Sequence, residues 1–359
     1  MKKTAIIIVV ILCIIAIGVC SAILYNRMQN ENATFLGTDV VNNSENETGT
    51  IVAEVPGVQI FKGSDRPIAV MIDNNIDAQP QAGLNDAYMV YEIIVEGGES
   101  RLMALFKGVS LDKIGPVRSS RHYFLDYALE NDAIYVHYGW SPQAQADIKT
   151  LGVNNINGIS ETTKEFWRVK DKKSPHNVAT STEKILEIAN RKGYRTTSSK
   201  ESVLNYVTDE VNLDAGQIAE DITIPYSQSN TVEWKYNSET KRYTRYSKGK
   251  KQTDWTTGED VTAKNIIVEF IANSTLNDGE NKGRQTMNTV GTKDGYYITN
   301  GKAIKITCEK VTRSSQSVYK DENGNEIDVN DGNTFVQICP INANVKIEGE
   351  KWKNLNLVL

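Results

Sequence analysis

The chain has 359 residues, of which 40% are hydrophobic and 24% are charged, and its formal net charge is −5. This length accommodates two domains, and the composition is that of a globular protein. The acidic balance argues against a nucleic-acid-binding protein, which needs a basic face. We therefore expect no nucleic-acid partner, and any site for an anion must be a local feature of the surface.

The N-terminus carries the most specific physical signal. Residues 1–3 include Lys2 and Lys3, and residues 4–25 follow without a charge. As a helix, this uncharged run would reach about 33 Å, enough to cross a hydrocarbon core of about 30 Å. The lysines favour a cytoplasmic N-terminus. The pattern predicts a single-pass signal anchor in the cell membrane, with a cytoplasmic stub at residues 1–3 and the bulk of the chain extracytoplasmic.

The remaining composition predicts two domains. Residues 26–55 are rich in Asn, Glu, Thr and Ser and predict a flexible linker. We expect a mixed α/β domain over residues 56–205, an interdomain linker over 206–220, an all-β domain over 221–348 and a tail over 349–359. The predicted fold class is an α+β (or α/β) N-terminal domain followed by a mainly-β C-terminal domain, after an N-terminal transmembrane helix.

Local patterns predict the individual elements in chain order. Three apolar runs bounded by turn residues predict buried strands, the third pairing with the second: RPIAVMID, AYMVYEIIVE and SRLMALFK. A helix is predicted to begin at Ser119 or Ser120, which are natural N-cap residues. Two more helices are predicted in PQAQADIKTLG and TSTEKILEIANRKGY. Short alternating runs then predict strands, with Asn300-Gly301 and Asn323-Gly324 as hairpin turns.

The predicted helix after the two serines begins with unusual charges. Arg118 and Arg121 flank the serines, although the positive end of a helix dipole disfavours cations. An anion bound between the arginines would relieve this repulsion, so we predict an anion site at Arg118, Ser119 and Arg121. The alternative is that the arginines pair with Glu92 or Glu96 and fix the helix to the sheet. The two readings are compatible, and the sequence leaves both open.

Further candidate ligand-binding residues lie at predicted strand ends, where folds of this class place their sites. Each also has a structural explanation, such as an Asx turn, an ion pair or a satisfied histidine. These candidates are Asp73, Asn74, Glu96, Arg101, His137, His176 and Asn177.

The sequence contains few of the motifs that are typical of known catalytic or cofactor-binding sites. The chain has no phosphate-binding loop, no serine nucleophile elbow and no zinc-peptidase motif. We therefore expect no metal and no cofactor, and catalytic residues remain unassigned. Cys308 and Cys339 lie in strand-like runs, where either a disulfide or two free packing residues would fit.

Taken together, the motifs resemble the YerB family of bacterial surface proteins. They are IAVMIDNN, EGGESR, IGPVRSSR and SPHN, followed by the C-terminal stretch NIIVEF…KITCEKV…TFVQICP. The family elements fall on residues 72–74, 96–101, 115–121 and 175–177, and the resemblance covers roughly residues 58–348. Family members are described as lipoproteins of Gram-positive bacteria with two domains of unknown function. The resemblance therefore implies two domains and an outward location, but no reaction.

One feature departs from the family. A lipoprotein needs a small residue immediately before the lipidated cysteine, whereas Cys20 follows Val19 in this chain. The sequence leaves lipidation of Cys20 open.

Three functional hypotheses follow. The leading one is a membrane-tethered extracytoplasmic binding protein for an anionic cell-envelope ligand or partner, such as an envelope polymer or a membrane protein. The second is an envelope hydrolase or transferase that uses Glu96 or His137 as acid or base. The third is a non-catalytic scaffold of a membrane protein complex. In the first hypothesis, aromatic residues of the β domain would contact the polymer or partner, namely Trp234, Tyr243, Tyr246 and Trp255.

Overall fold

The protein is described by a computed structural model that covers residues 57–348. The predicted stub, membrane anchor, flexible linker and C-terminal tail lie outside the described residues. Within residues 57–348, no helix has the length and apolar character needed to cross a membrane. The described part has few helices and many strands, and it belongs to one compact unit.

Helices are few and short in the described part. The α-helices are α1 Phe124–Glu130, α2 Pro142–Thr150 and α3 Thr182–Arg191, and the 3-10 helices are Ile76–Ala78, Glu96–Gly98 and Gly158–Ser160. The hydroxyl of Ser141 accepts from the backbone nitrogen of Ala144, and that of Ser181 accepts from the backbone nitrogen of Lys184. Side-chain caps therefore start α2 and α3, and both predicted helices are confirmed.

Strands make up most of the rest. Those in the first part are β1 Ile68–Asp73, β2 Met89–Ile94, β3 Ser100–Phe106, β4 Ile134–His137, β5 Asn155–Asn157, β6 Trp167–Arg168, β7 Val178–Ala179 and β8 Asn205–Val207. The three strands predicted from apolar runs correspond to β1, β2 and β3, and β3 pairs with β2 as predicted. It also pairs with β1.

The later strands contain no intervening α-helix among the described residues. They are β9 Gln217–Ile218, β10 Asp221–Ser227, β11 Asn230–Asn237, β12 Arg242–Ser247, β13 Lys250–Lys251, β14 Thr262–Ala263, β15 Asn265–Ile271, β16 Asn273–Thr275, β17 Gln285–Met287, β18 Gly291–Thr299, β19 Lys302–Lys310, β20 Val318–Lys320, β21 Asp328–Asn330, β22 Thr334–Pro340 and β23 Lys346–Glu348. Asn300 (φ 48°) and Gly301 (φ 74°) form the predicted hairpin turn between β18 and β19.

One large sheet runs through both parts of the chain. Its strand order is β20-β19-β18-β15-β22-β2-β3-β1-β4-β5, with β9 beside β19. At its centre β2 pairs in parallel with β22, from Met89↔Thr334 to Ile93↔Ile338. Residues 206–220, predicted as a linker, contribute β9 and most of β8. Strands from both predicted domains therefore belong to one continuous hydrogen-bonded sheet.

Both faces of this sheet are covered. A second sheet of order β13-β12-β11-β10-β23, with β14 beside β12, contributes to one core together with α3. Helix α1 contributes to the core on the other face. Cys339 belongs to the first core and Cys308 to the second, and both thiols are buried and unpaired.

Two predicted contact aromatics lie inside the first core. Trp234 and Tyr243 are 0% exposed, so the prediction that they face a polymer or partner is wrong. Their apolar area is used to pack the second sheet against the large one.

A buried polar network joins the two sheets. Arg245 on β12 contacts the carboxylate of Glu92 on β2, and both side chains are 0% exposed. Ser100 donates to the same carboxylate over 2.6 Å and Asn74 over 3.0 Å, and Asn230 donates to Ser100 over 3.0 Å. Removing one member of a buried ion pair leaves the other charge unpaired in an interior that solvates it poorly.

We expect Arg245→Met to destabilise the protein by about 3–5 kcal/mol, because it leaves Glu92 buried without a counter-charge. Lys248 and Glu99 form a matched control, since they also join the two sheets but are partly exposed. Lys248→Met should cost about 1 kcal/mol or less. Urea unfolding followed by circular dichroism measures both, and equal losses would contradict a special role for the buried pair.

Candidate functional site

The candidate residues gather at one edge of the large sheet. Strands β1 and β4 are parallel, and β3 runs antiparallel to both β1 and β2. The carboxyl ends of β1, β2 and β4 therefore lie at the same edge. Asp73 and His137 end two of these strands, and Glu96 follows the third. Polar residues at successive strand ends were the signal in the sequence, and the topology brings them together.

Glu96 holds two of the predicted arginines. Its carboxylate accepts from Arg121 Nε over 2.9 Å and from Arg121 Nη2, and Arg101 Nη2 lies 3.3 Å away. Burial by itself would raise the pKa of Glu96, but the hydrogen bonds and charges of the arginines outweigh it and lower the pKa to about 2. Arg101 also donates to the backbone oxygen of Ser119 over 2.6 Å. The internal ion-pair alternative is therefore confirmed for Arg121.

The predicted helix start is wrong. Helix α1 begins at Phe124, and its N-cap residue Tyr123 makes no side-chain capping bond. The hydroxyl of Ser119 instead donates to the backbone oxygen of Tyr138. Ser120 accepts from the hydroxyl of Tyr135. These residues belong to an extended segment with isolated bridges such as Ile72↔Val117 and Ser120↔Trp140. An anion site built on a capped helix end therefore has no basis here.

Arg118 has a different environment from Arg121. Its Nε lies 3.1 Å from Asp73 Oδ2, and the same oxygen is 2.8 Å from Nδ1 of His176. Backbone bonds from Arg118 N to Met71 and from Tyr138 to Arg118 O fix the residue between β1 and β4. The Arg118 side chain is 26% exposed and that of His176 is 16% exposed. No hydrogen bond within residues 57–348 uses the terminal nitrogens of Arg118 or Nε2 of His176.

Two other predicted residues, Asn74 and Asn177, face the interior. Asn74 bonds to Glu92 and Ser100 in the buried network. Asn177 is 7% exposed and receives a bond from Arg168 Nη1 over 2.6 Å. Its amide donates to the backbone oxygens of two loop residues, so it fastens the loop that precedes it.

His137 is also an interior residue. It is 0% exposed, with Nδ1 2.8 Å from the backbone oxygen of Gly139 and Nε2 3.2 Å from Asn155 Oδ1. Burial lowers its pKa to about 4, against the opposing effect of those two contacts. The imidazole is therefore held neutral at physiological pH.

Arg168 is a residue that the sequence analysis missed. Its guanidinium lies 5.6 Å from the ring centroid of Tyr138, the residue bonded to the backbone of Arg118. Together Asp73, Arg118, Arg168 and His176 form the candidate site. The signal in the sequence was the run of basic residues around Arg168. Within the described residues, no group of three or more His, Cys, Asp or Glu side chains is arranged to hold a metal.

Comparison with known proteins supports the architecture. Residues 56–195 match the N-terminal domain, and residues 222–336 the C-terminal domain, of a family described as "Protein of unknown function (DUF3048)". The chain is 30% identical over 278 residues to "Putative lipoprotein YerB" of Bacillus subtilis (strain 168), covering 77% of this chain and 81% of that protein. The chain belongs to the YerB family.

A solved YerB structure has the same fold. The crystal structure of the YerB protein from Bacillus subtilis matches with a TM-score of 0.71 and 28% identity, covering 79% of this chain and 94% of that chain. The segments matched by the two domain models include β2 and the start of β22, which pair at the centre of the large sheet. The chain is therefore a two-domain mixed fold whose domains share one sheet.

We expect His137 to make stability depend on pH. Its folded pKa of about 4 lies below the ordinary value of 6.5, so the unfolded chain binds the proton first. The contribution of neutral His137 to the free energy of unfolding is complete above about pH 6.5 and is lost as the pH falls towards about 4. The loss is about 2 kcal/mol by about pH 5. Urea unfolding of His137→Gln at about pH 7 and about pH 5 should show a smaller difference than the wild type.

Tyr135→Phe provides the control for this measurement. It removes a buried hydroxyl that bonds to Ser120, but no group that titrates in this window. Its loss of stability should be the same at both pH values. An unchanged pH difference in His137→Gln would mean that His137 does not carry the effect.

Proposed function

We propose that this chain is a membrane-tethered extracytoplasmic protein that binds an anionic group of the cell envelope at Arg118 and His176. The supporting observation is that the three arginines at the sheet edge differ in burial and in hydrogen bonding. Arg101 and Arg121 are buried against Glu96, whereas Arg118 keeps its terminal nitrogens free of hydrogen bonds within the described residues and remains partly exposed. A carboxylate or phosphate could accept two parallel bonds from such a guanidinium.

Asp73 orients the side chains that would meet an anion. One oxygen of Asp73 contacts both Arg118 Nε and His176 Nδ1, which fixes the orientation of the guanidinium and the imidazole. The terminal nitrogens of Arg118 then need little further ordering when a ligand binds, which lowers the entropic cost of binding. Arg168 adds a positive charge on the neighbouring Tyr138 ring.

The proposed location rests on two observations. The relative in Bacillus subtilis is named "Putative lipoprotein YerB", and in this chain Lys2 and Lys3 precede an uncharged run, residues 4–25, of membrane-spanning length. Either lipid or a membrane-spanning segment would keep residues 57–348 beside the outer surface of the membrane. Anionic groups of the cell envelope are then the accessible ligands.

The acid–base roles considered for Glu96 and His137 fit this geometry poorly. A carboxyl group with a pKa of about 2 does not donate a proton at neutral pH, and the two arginines occupy it. Both ring nitrogens of His137 already contact protein oxygens beneath the surface. Binding therefore has stronger support than catalysis. The phosphate-binding experiment below distinguishes the binding hypothesis from the scaffold hypothesis.

We expect inorganic phosphate to raise the Tm of the full chain in a mild detergent, and calorimetry to measure a Kd. Arg118→Gln should weaken phosphate binding about tenfold, because charge-assisted hydrogen bonds are lost. Without phosphate this variant should also be less stable than the wild type, because Asp73 is 5% exposed and loses its guanidinium partner.

Arg195→Gln is the matched control, since Arg195 is also a partly exposed arginine paired with one aspartate, Asp132. It should bind phosphate like the wild type. Equal phosphate binding by the two variants would contradict the site. The scaffold hypothesis gains if phosphate, acetate and soluble cell-wall fragments all leave the wild-type Tm unchanged while Arg118→Gln only lowers stability.

A further inference from the structure

A basic loop adjoins the proposed anion site. Residues 164–176 contain five lysines and arginines but only two acids, whereas the whole chain carries 40 basic and 45 acidic residues. One of the two acids, Glu165, is buried and bonded to Arg191 over 2.6 Å. The loop therefore concentrates positive charge on a protein that is acidic as a whole, and Asp171 is its only other acid.

Trp255 brings two ammonium groups together beside this loop. The Nζ atoms of Lys113 and Lys172 each lie 4.4 Å from the centroid of the Trp255 ring. The indole nitrogen donates to Asp171 over 2.9 Å. The carboxylate of Asp171 therefore lies near two ammonium groups, those of Lys113 and Lys172, which repel each other. Burial lowers the pKa of Lys172, and the charge of Lys113 acts in the same direction while Asp171 opposes it.

The Trp255 group and the Arg118 group are connected through the buried residue Gln81 and through the basic loop. The backbone nitrogen of Trp255 donates to Gln81 O over 2.8 Å, and Gln81 Nε2 donates to the backbone oxygen of Asp73 over 3.0 Å. On the other side, Lys172 and His176 belong to the same loop. They are four positions apart in the sequence, so their Cα atoms lie at most about 14 Å apart.

We propose that the ligand is a chain that carries an anion in each repeat, with one anion at Arg118 and His176 and another at Lys113 or Lys172 beside Trp255. This inference rests on the proposed function. The two cationic groups have different surroundings, Arg118 beside Asp73 and the two lysines beside Trp255, so each presents its own donors to an anion. A single flexible ligand that occupies both gains affinity because its second contact is intramolecular. Two ammonium groups beside one carboxylate leave an excess of positive charge, which favours an anion at this contact.

The test compares one anion with a chain of anions on the full chain in detergent. Linear polyphosphate of about ten units should bind at least about tenfold more tightly than inorganic phosphate. The double variant K113Q/K172Q should lose most of this gain and retain phosphate binding. K250Q/K305Q removes two exposed lysines outside both cationic groups and should leave both ligands unaffected. Polyphosphate should change the tryptophan fluorescence, and Trp255→Phe should remove that change.

The outcomes separate the two proposals. Phosphate binding that depends on Arg118, with no tighter binding of polyphosphate, overturns the chain ligand and leaves the proposed function intact. Loss of both ligands in K113Q/K172Q overturns the separate second contact. Vesicles of phosphatidylcholine and phosphatidylglycerol provide the last comparison. Lysine-dependent binding to these vesicles without polyphosphate binding would overturn the chain ligand in favour of a membrane surface.

Discussion

The ion pair between Glu92 and Arg245 is the interaction on which the described structure depends. Its two residues come from the two segments that the family models match separately, and both are fully buried. Desolvating two charges is costly, so the pair is stable only with its surrounding hydrogen bonds. Asn74, one of those partners, directly follows Asp73. The same strand end therefore serves both the buried network and the exposed site.

Carboxylates decide which arginines at this edge remain available. Glu96 lies between Arg101 and Arg121 and commits both to the interior. Asp73 engages only Nε of Arg118 and shares its oxygen with His176. The difference in exposure between these arginines follows from this pairing, because a guanidinium with more of its donors paired can be buried more readily. An anion-binding role is thus supported for one arginine and not for the pair.

Local rules predicted well where local forces dominate. The positive φ angles at Asn300 and Gly301, the apolar runs of the first three strands and the periodicity of α3 are short-range effects. The helix start failed because Ser119 and Ser120 bond to residues near the end of β4 instead of to the helix. Intrinsic capping preference is weak, and these tertiary contacts exceed it. Arg168 was missed for a similar reason. A run of basic residues normally indicates a solvent-exposed segment, and only the tertiary structure shows that Arg168 lies beside the Tyr138 ring.

The sequence alone determined the mixed fold class, most strands and two helices, the membership in a family, and the collection of polar residues at strand ends. Each of these depends on composition or on neighbours within a few residues. Only the tertiary structure decided that β2 and β22 pair at the centre of one sheet, and which acid each arginine meets. Those contacts join residues far apart in the chain, and their energies depend on burial, which no local pattern specifies.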